Sequence, residues 1–186
     1  VTEQEKQVSI CFQYELPLLP KTVCSVVYTI TEDGRLQVKM EMFPSNILPC
    51  LPDFGMLIFL PKEFCHITYY GLGPEENYCD RNTGARLGVF PYFPKVAPTL
   101  RPQECGNRTE TRWVNLSDGD TILQINGDPS FNFSVLPYTP HELENARHLF
   151  ELPPAYRMVL KISSGQMGVG GDDSWGAPVH DSYMLP

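Results

Sequence analysis

The clearest regular pattern in the chain is the alternation of apolar and polar residues from Leu36 to Phe43. Its apolar side consists of Leu36, Val38, Met40 and Met42, and its polar side of Gln37, Lys39 and Glu41. A period of two predicts a β-strand with one buried face. The preceding segment, Cys24 to Thr31, is rich in Val, Tyr, Thr and Ile, and Asp33-Gly34 lies between the two. Because Asp-Gly favours hairpin turns, the pattern predicts a β-hairpin.

Short strand-like segments continue through the rest of the chain, interrupted by many of its 18 prolines and 14 glycines. The further predicted strands are Phe54–Leu60, Cys65–Tyr70, Thr111–Val114, Thr121–Ile125, Phe131–Leu136 and Arg157–Ser163. The proline-rich stretch from Phe90 to Pro102 is predicted to be a long irregular surface connection. No linker divides the chain, so residues 1–186 are predicted to form a single domain.

Only one segment has the pattern of a helix. Thr139 is placed to cap it, Pro140 to occupy its first position and Glu142 to complete a capping box. The helix is predicted to run to about His148 and to stop before the following prolines. Many strands with one short helix indicate an all-β sandwich or barrel.

Composition narrows the classes of partner. The chain has 22 acidic and 14 basic residues, a net charge of −8. Binding to nucleic acid needs dense Lys and Arg, which are scattered here, so no nucleic-acid partner is predicted. No apolar run is long enough for a membrane span, and the first residues do not form a signal peptide. No membrane partner is predicted, and the compartment stays open between bacterial cytoplasm and periplasm.

Cysteine and histidine spacing gives no indication of a metal site. The six cysteines form no C-x-x-C pair and the four histidines show no ligand spacing. The cysteines are predicted to be free and mostly buried thiols.

Two polar segments predict a hydrogen-bonded corner. The first, Tyr70 to Arg81, contains adjacent acids at Glu75 and Glu76. Neighbours in an extended segment point to opposite sides, so they are badly placed to act as a glycosidase carboxylate pair. In the second segment, Pro102 to Trp113, Arg108 and Arg112 are predicted to form buried ion pairs with Glu76, Asp80 or Glu110. The residues predicted to build the corner are Glu76, Asn77, Tyr78, Asp80, Arg81, Asn107 and Arg108.

A third segment predicts a tightly turned loop. It consists of Gly170, Gly171, Asp172, Asp173, Ser174 and Trp175, preceded by Gly168. An Asp in such a loop caps free backbone N–H groups. The residues alone leave two interpretations of Trp175 open: a core side chain, which is the commoner case in β-domains, or an exposed indole that stacks on a sugar ring.

These three segments, in this order, resemble the C-terminal domain of the large β-galactosidases of glycoside hydrolase family two. The matching stretches are Gly71 to Arg81, Cys105 to Thr109 and Met167 to Trp175. The resemblance implies a supersandwich of antiparallel sheets like that of galactose mutarotases. It also implies that Trp175 stacks on the leaving-group sugar, supported by Gly170 to Ser174, which favours the exposed interpretation.

The same resemblance implies a division of labour. The chain would hold no catalytic residue, no metal and no cofactor, because the nucleophile and the acid/base glutamate lie in a TIM barrel. Its partners would be that barrel, the other domains and the β-galactoside substrate, in an enzyme that forms a homo-oligomer. Mg²⁺ and Na⁺ of the whole enzyme would be bound outside this chain. The chain is thus expected to be a truncated C-terminal domain and inactive alone.

Three alternatives remain open. The chain could be a free-standing galactoside-binding module, the small subunit of a heterodimeric β-galactosidase, or an enzyme of the mutarotase type. The last would need a His and a Glu acting across one sugar. No such pair is assigned from the sequence.

Overall fold

The structure is a computed structural model that describes residues 2–4, 6–17, 21–43, 49–95, 105–173 and 175–185. The chain divides into two compact units, Val1–Pro49 and Cys50–Pro186. Both are built from antiparallel strands, which confirms the all-β class. The supersandwich packing and the single domain over residues 1–186 stay predictions.

The first unit is a four-stranded sheet in the order β1-β2-β3-β4. Its strands are β1 (Thr2–Gln4), β2 (Gln7–Leu16), β3 (Thr22–Thr31) and β4 (Leu36–Met42). The predicted hairpin is confirmed: Ile30 pairs with Leu36, and Gly34 has a φ of +81°, a conformation that glycine adopts without steric cost. The predicted buried face is wrong: Leu36 is 58% and Val38 39% exposed, and Met40 and Met42 are only partly buried.

The second unit is a six-stranded sheet in the order β5-β10-β9-β8-β6-β7. Its strands are β5 (Asp53–Pro61), β6 (His66–Gly73), β7 (Arg86–Tyr92), β8 (Arg108–Ser117), β9 (Ile122–Leu136) and β10 (Arg157–Gln166). The largest side chains of its core, all fully buried, are Tyr69, Phe133, Leu116, Leu160, Val114 and Val135.

Two strand predictions of this unit need correction. The two predicted strands Thr121–Ile125 and Phe131–Leu136 belong to one strand, β9. The residues around Gly127 do not end the strand, because the pairing of β9 with β8 shifts register there and then continues. The stretch predicted as irregular from Phe90 belongs to β7 as far as Tyr92. Pro91 is tolerated there because β7 is an edge strand. Residues 93–95 of the predicted connection have no regular secondary structure, and residues 96–102 lie outside the described residues.

Helix α1 (Pro140–Asn145) begins as predicted, with the capping box of Thr139 and Glu142. It ends earlier than predicted, because Ala146 turns into an extended conformation and is buried beside Leu143. Residues 149–151 and 181–183 form short 3-10 turns. In the described parts of the chain, no helix is long and apolar enough to cross a membrane.

The cysteine prediction was half right. Cys11, Cys24, Cys50, Cys65 and Cys79 are free thiols. Three of them are exposed, however: Cys11 points to the polar face of β2, while Cys50 and Cys65 precede strands β5 and β6.

Candidate functional site

Asn77 is the centre of the hydrogen-bonded corner and is almost completely buried. Its amide nitrogen donates to the carbonyls of Leu72 (2.9 Å) and Glu75 (3.0 Å). Its amide oxygen accepts from the backbone N–H of Thr109 (3.0 Å) and from the hydroxyl of the same residue (2.5 Å). Asn107 then donates to the carbonyl of Asn77 (3.0 Å). One side chain thus joins the segment after β6 to the start of β8.

Arg108 is buried in the same place, but the predicted partner was wrong. In the described residues its guanidinium donates to oxygen atoms that carry no formal charge. Nε lies 3.0 Å from the Tyr69 hydroxyl and 3.1 Å from the Pro74 carbonyl, and Nη1 lies 3.1 Å from the Gly106 carbonyl. The guanidinium also lies 4.9 Å from the Tyr92 ring centroid. Carbonyl oxygens and the faces of aromatic rings thus stabilise the Arg108 guanidinium in place of the predicted carboxylate.

Arg112, the other arginine for which a buried ion pair was predicted, lies on the surface. Its Nη2 is 3.5 Å from a carboxylate oxygen of Glu110, and both side chains are substantially exposed. This is a surface pair, which contributes little to stability.

Glu76 lies at the rim of the corner. Its Oε1 lies 2.9 Å from Arg81 Nη2, and its Oε2 accepts from the backbone N–H of Gly106 (2.8 Å). Arg81 also lies over the ring of Tyr78, 5.4 Å from the centroid. Burial raises the pKa of the Tyr78 hydroxyl, so this ring is a neutral structural group. Both oxygens of Glu76 have structural partners, which does not suit a nucleophile. We call Glu76, Asn77, Tyr78, Arg81, Asn107 and Arg108 the polar corner.

Two tyrosines that the sequence did not indicate, Tyr69 and Tyr92, contact Arg108 of the polar corner. Burial raises the pKa of Tyr69, and it raises the pKa of Tyr92 to about 12, against the opposing hydrogen bond from Val135 and the charge of Arg108. The Tyr92 hydroxyl lies 3.1 Å from both the Gly106 and the Val135 carbonyl. Gly106 precedes β8 and Val135 lies in β9, both far from Tyr92 in the sequence, so no local sequence signal marks this tyrosine.

The tryptophan loop, residues 167–180, leaves the end of β10. Asp173 caps it as predicted for this kind of turn: one carboxylate oxygen accepts from the N–H groups of Trp175 (2.8 Å) and Ala177 (3.2 Å). Asp172 lies 2.7 Å from His180 Nε2, across the loop. Gly171 allows close approach, since a Cβ there would lie 2.1 Å from the Ala177 carbonyl oxygen.

Trp175 itself is 92% exposed. Among the predicted loop residues, Ser174 lies outside the described residues. His180 was not predicted as a loop residue, because a partner eight positions from Asp172 follows no short motif. An exposed indole on a hydrogen-bonded loop offers a flat apolar face and one N–H donor.

Asp80 does not belong to the corner's hydrogen bonds but contacts the loop. Its Oδ2 accepts from the backbone N–H of Gly170 at 2.8 Å. The described residues contain no cluster of three or more His, Cys, Asp or Glu that could hold a metal ion. The site therefore consists of a hydrogen-bonded corner, a loop that contacts Asp80 and the exposed aromatic surface of Trp175.

Fold and site together define the class: an antiparallel β-domain that presents an aromatic loop beside a buried polar corner. The sequence matches the family described as beta galactosidase small chain over residues 1–186. The chain belongs to this family, which confirms the resemblance found in its motifs.

Known relatives give the same family. The chain is 42% identical to a β-galactosidase of Priestia megaterium over 165 residues, which is 87% of this chain and 16% of that protein. It is 42% identical to a β-galactosidase of Halalkalibacterium halodurans, over 100% of this chain and 19% of that protein. It is 35% identical to the β-galactosidase small subunit of Latilactobacillus sakei, over 98% of this chain and 61% of that protein. The chain thus spans under a fifth of the first two relatives.

Proposed function

We propose that this chain is a non-catalytic C-terminal domain of a β-galactosidase. The whole enzyme would hydrolyse terminal β-D-galactosides such as lactose with retention of configuration. Family membership supports the enzyme class, and the small share of the long relatives that this chain spans leaves room for a separate catalytic barrel. The barrel, the other domains, the substrate and further copies of the enzyme would be its partners.

The chemistry of retaining hydrolysis supports a non-catalytic role. It needs two carboxyl groups about 5–5.5 Å apart, one of them free to attack the sugar. Glu76 is held by Arg81 and by the Gly106 N–H, so it is badly suited to attack. We therefore assign the nucleophile and the acid/base group to other parts of the enzyme. The Mg²⁺ and Na⁺ ions of the whole enzyme would also be held there.

The observation that carries the proposal is the exposure of Trp175 on a loop with fixed hydrogen bonds. Its indole would stack on the apolar face of the leaving-group sugar, and its N–H would bond to a hydroxyl. The two Asp173 hydrogen bonds favour one conformation of the turn, which would lower the conformational entropy lost on binding. Trp175 would thus bind the aglycone and the acceptor sugar, and would take no part in bond cleavage.

The test is Trp175→Ala in the intact enzyme. Loss of one stacking contact of about 1.4 kcal/mol should raise KM for lactose about tenfold and lower transfer to added glucose similarly. Hydrolysis of a chromogenic galactoside at saturation should change less, because the galactosyl half of the substrate is untouched. Phe150→Ala is the matched control, since Phe150 is 83% exposed and lies outside the loop. Unchanged lactose KM and unchanged transfer in the Trp175 variant would refute the proposed contact.

The non-catalytic role has its own test in the purified isolated chain. It should not turn over a chromogenic β-galactoside. Turnover at a rate near that of the whole enzyme would overturn this part of the proposal.

A second candidate is the small subunit of a two-chain β-galactosidase. It is favoured by the relative of that name in Latilactobacillus sakei, of which this chain covers 61%. Denaturing electrophoresis of the enzyme from its native source separates the two candidates. One long band favours a domain, and two co-purifying bands favour a subunit.

A free-standing galactoside-binding module is the remaining alternative. The same exposed Trp175 could serve it. Calorimetry with the isolated chain would then detect galactoside binding at millimolar strength, whereas our proposal predicts no measurable binding without the other domains.

A further inference from the structure

The dipeptide Cys79-Asp80 contacts the tryptophan loop and the residues that flank it. Cys79 Sγ lies 3.4 Å from the carbonyl oxygen of Gln166, directly before the loop, and 3.8 Å from that of Tyr183, beyond its end. Asp80 Oδ2 accepts from the N–H of Gly170 within the loop. The dipeptide therefore contacts the loop at Gly170 and the chain on both sides of the loop, at Gln166 and Tyr183.

The loop is also closed at its base and pressed against Asp80. The N–H of Gly168 donates to the carbonyl of Tyr183 at 2.9 Å. Gly168 is buried, and a Cβ added to it would lie 2.6 Å from both Cγ and Oδ2 of Asp80. Glycine is needed at this position because any side chain would displace the carboxylate. A Cβ at Gly170 would lie 3.7 Å from Oδ2, an ordinary contact.

The contact is separate from the hydrogen bonds of the polar corner. Within the described residues, the second oxygen of Asp80 is buried without a hydrogen-bond partner, and Gly170 is exposed. The Asp80 carboxylate accepts no hydrogen bond from the residues of the polar corner and accepts one from a backbone N–H of the exposed loop. Its hydrogen bonding therefore affects the loop more than the fold. A charge-assisted hydrogen bond of this length is among the stronger ones.

We propose that Asp80 is a positioning residue that sets aglycone affinity by holding the tryptophan loop. By accepting the Gly170 N–H it restricts the loop to the conformation in which Trp175 can reach the aglycone. This inference rests on the proposed role of Trp175. If the competent conformation is only partly populated, apparent affinity falls by that fraction, with no change in the chemistry of the bond that breaks.

The first experiment compares Asp80→Ala with Asp80→Asn in the intact enzyme. Asp80→Ala should raise KM for lactose about threefold to tenfold and lower transfer to glucose by a similar factor, with kcat changed less than twofold. Asp80→Asn keeps one oxygen for the Gly170 N–H and should restore KM to within about twofold of the unmodified enzyme. Equal losses in both variants, or a fall in kcat alone, would overturn the proposal.

A double variant tests whether Asp80 acts through the indole. Once Trp175 is alanine, loop position no longer matters for stacking, so Asp80→Ala should add less than about twofold to the lactose KM of Trp175→Ala. If the lactose KM of the double variant rises by the product of the two single increases, Asp80 acts independently of Trp175, and the proposal is wrong.

A matched glycine pair perturbs the same contact from the loop side, without touching Asp80. Gly168→Ala should raise KM for lactose as Asp80→Ala does, because the new methyl group displaces the carboxylate. Gly170→Ala keeps the N–H donor and should have a clearly smaller effect. Effects of equal size would count against the contact.

A readout without substrate separates this inference from the proposed function. Hydrogen exchange of the loop amides should be faster in Asp80→Ala, while the amides of β8 keep their protection. If Trp175→Ala changes KM but Asp80→Ala changes neither exchange nor KM, the inference fails and the proposed function stands. If Asp80→Ala speeds exchange of the loop but Trp175→Ala leaves KM unchanged, the proposed function fails, and with it the effect of Asp80 on affinity.

Discussion

The polar corner and the tryptophan loop lie in the same unit but are built in opposite ways. In the corner, Asn77 and Arg108 are buried, and each side chain makes two hydrogen bonds to groups more than 30 positions away in the sequence. In the loop, Asp173 and Trp175 are exposed, and their bond spans two residues. A buried polar group must be satisfied within the protein, whereas an exposed one can exchange its partner for water.

This difference shows which region is scaffold and which is contact surface. The corner cannot rearrange without leaving buried polar groups unpaired, so it fixes the ends of β6 and β8. The loop can rearrange at low cost, so its conformation depends on a few hydrogen bonds. One of them joins the Gly170 N–H to Asp80, which directly precedes Arg81 of the polar corner. Mutations should therefore change stability in the corner and local order in the loop.

The largest effect is expected for Asn77→Ala. It removes four hydrogen bonds from a buried site, at about 1 kcal/mol each, and should lower the free energy of local opening by about 3–5 kcal/mol. Hydrogen exchange of the β6 and β8 amides in the intact enzyme measures this. Asn145→Ala, at an exposed helix end, is the control and should cost less than about 0.5 kcal/mol. Similar values for both would mean that the corner is not a scaffold.

The second largest effect is a loss of stability at alkaline pH, which we expect from Tyr92. Its folded-state pKa of about 12 lies above the unfolded value near 10, so the folded state retains the proton longer. The stabilisation is complete below pH 10 and is lost as the pH rises towards 12, on the order of 2 kcal/mol. Urea denaturation between pH 9 and 11.5 should show this decline, and Tyr92→Phe should make it shallower. An equal slope in both proteins would contradict the assignment.

The smallest effect on stability is expected for Asp173→Ala. The N–H groups that it leaves, on Trp175 and Ala177, face solvent and can bond to water. The unfolding midpoint should stay within error, while amide exchange at these two residues should become faster. Asp120→Ala, another exposed aspartate in a turn, should change neither quantity. A fall in the unfolding midpoint would show that the loop also supports the fold.

The sequence predicted those parts of the fold that depend on short-range chemistry. The hairpin at Gly34 and the start of α1 at Thr139 are confirmed because turn and capping residues act within a few positions. The end of α1 was missed because burial of Ala146 is a tertiary effect. For the same reason the sequence predicted two strands where β9 is continuous: only the pairing with β8 shows that the strand continues past Gly127.

The candidate site divides in the same way. The motifs around Asn77 and Trp175 could be found from the sequence, and so could the capping role of an aspartate in the loop. That Arg108 binds carbonyls and tyrosine rings could not, because its partners come from three separate segments.

The sequence by itself determined the all-β class, the family and the segments that contain the polar corner and the tryptophan loop, because these depend on periodicity, turn chemistry and motifs. Only the tertiary structure decided that Trp175 is exposed and that Asp80 reaches Gly170, 90 positions away. The physical reason is that burial and long-range hydrogen bonding depend on which strands become neighbours. That order is a property of the folded sheet and is not encoded in any one segment.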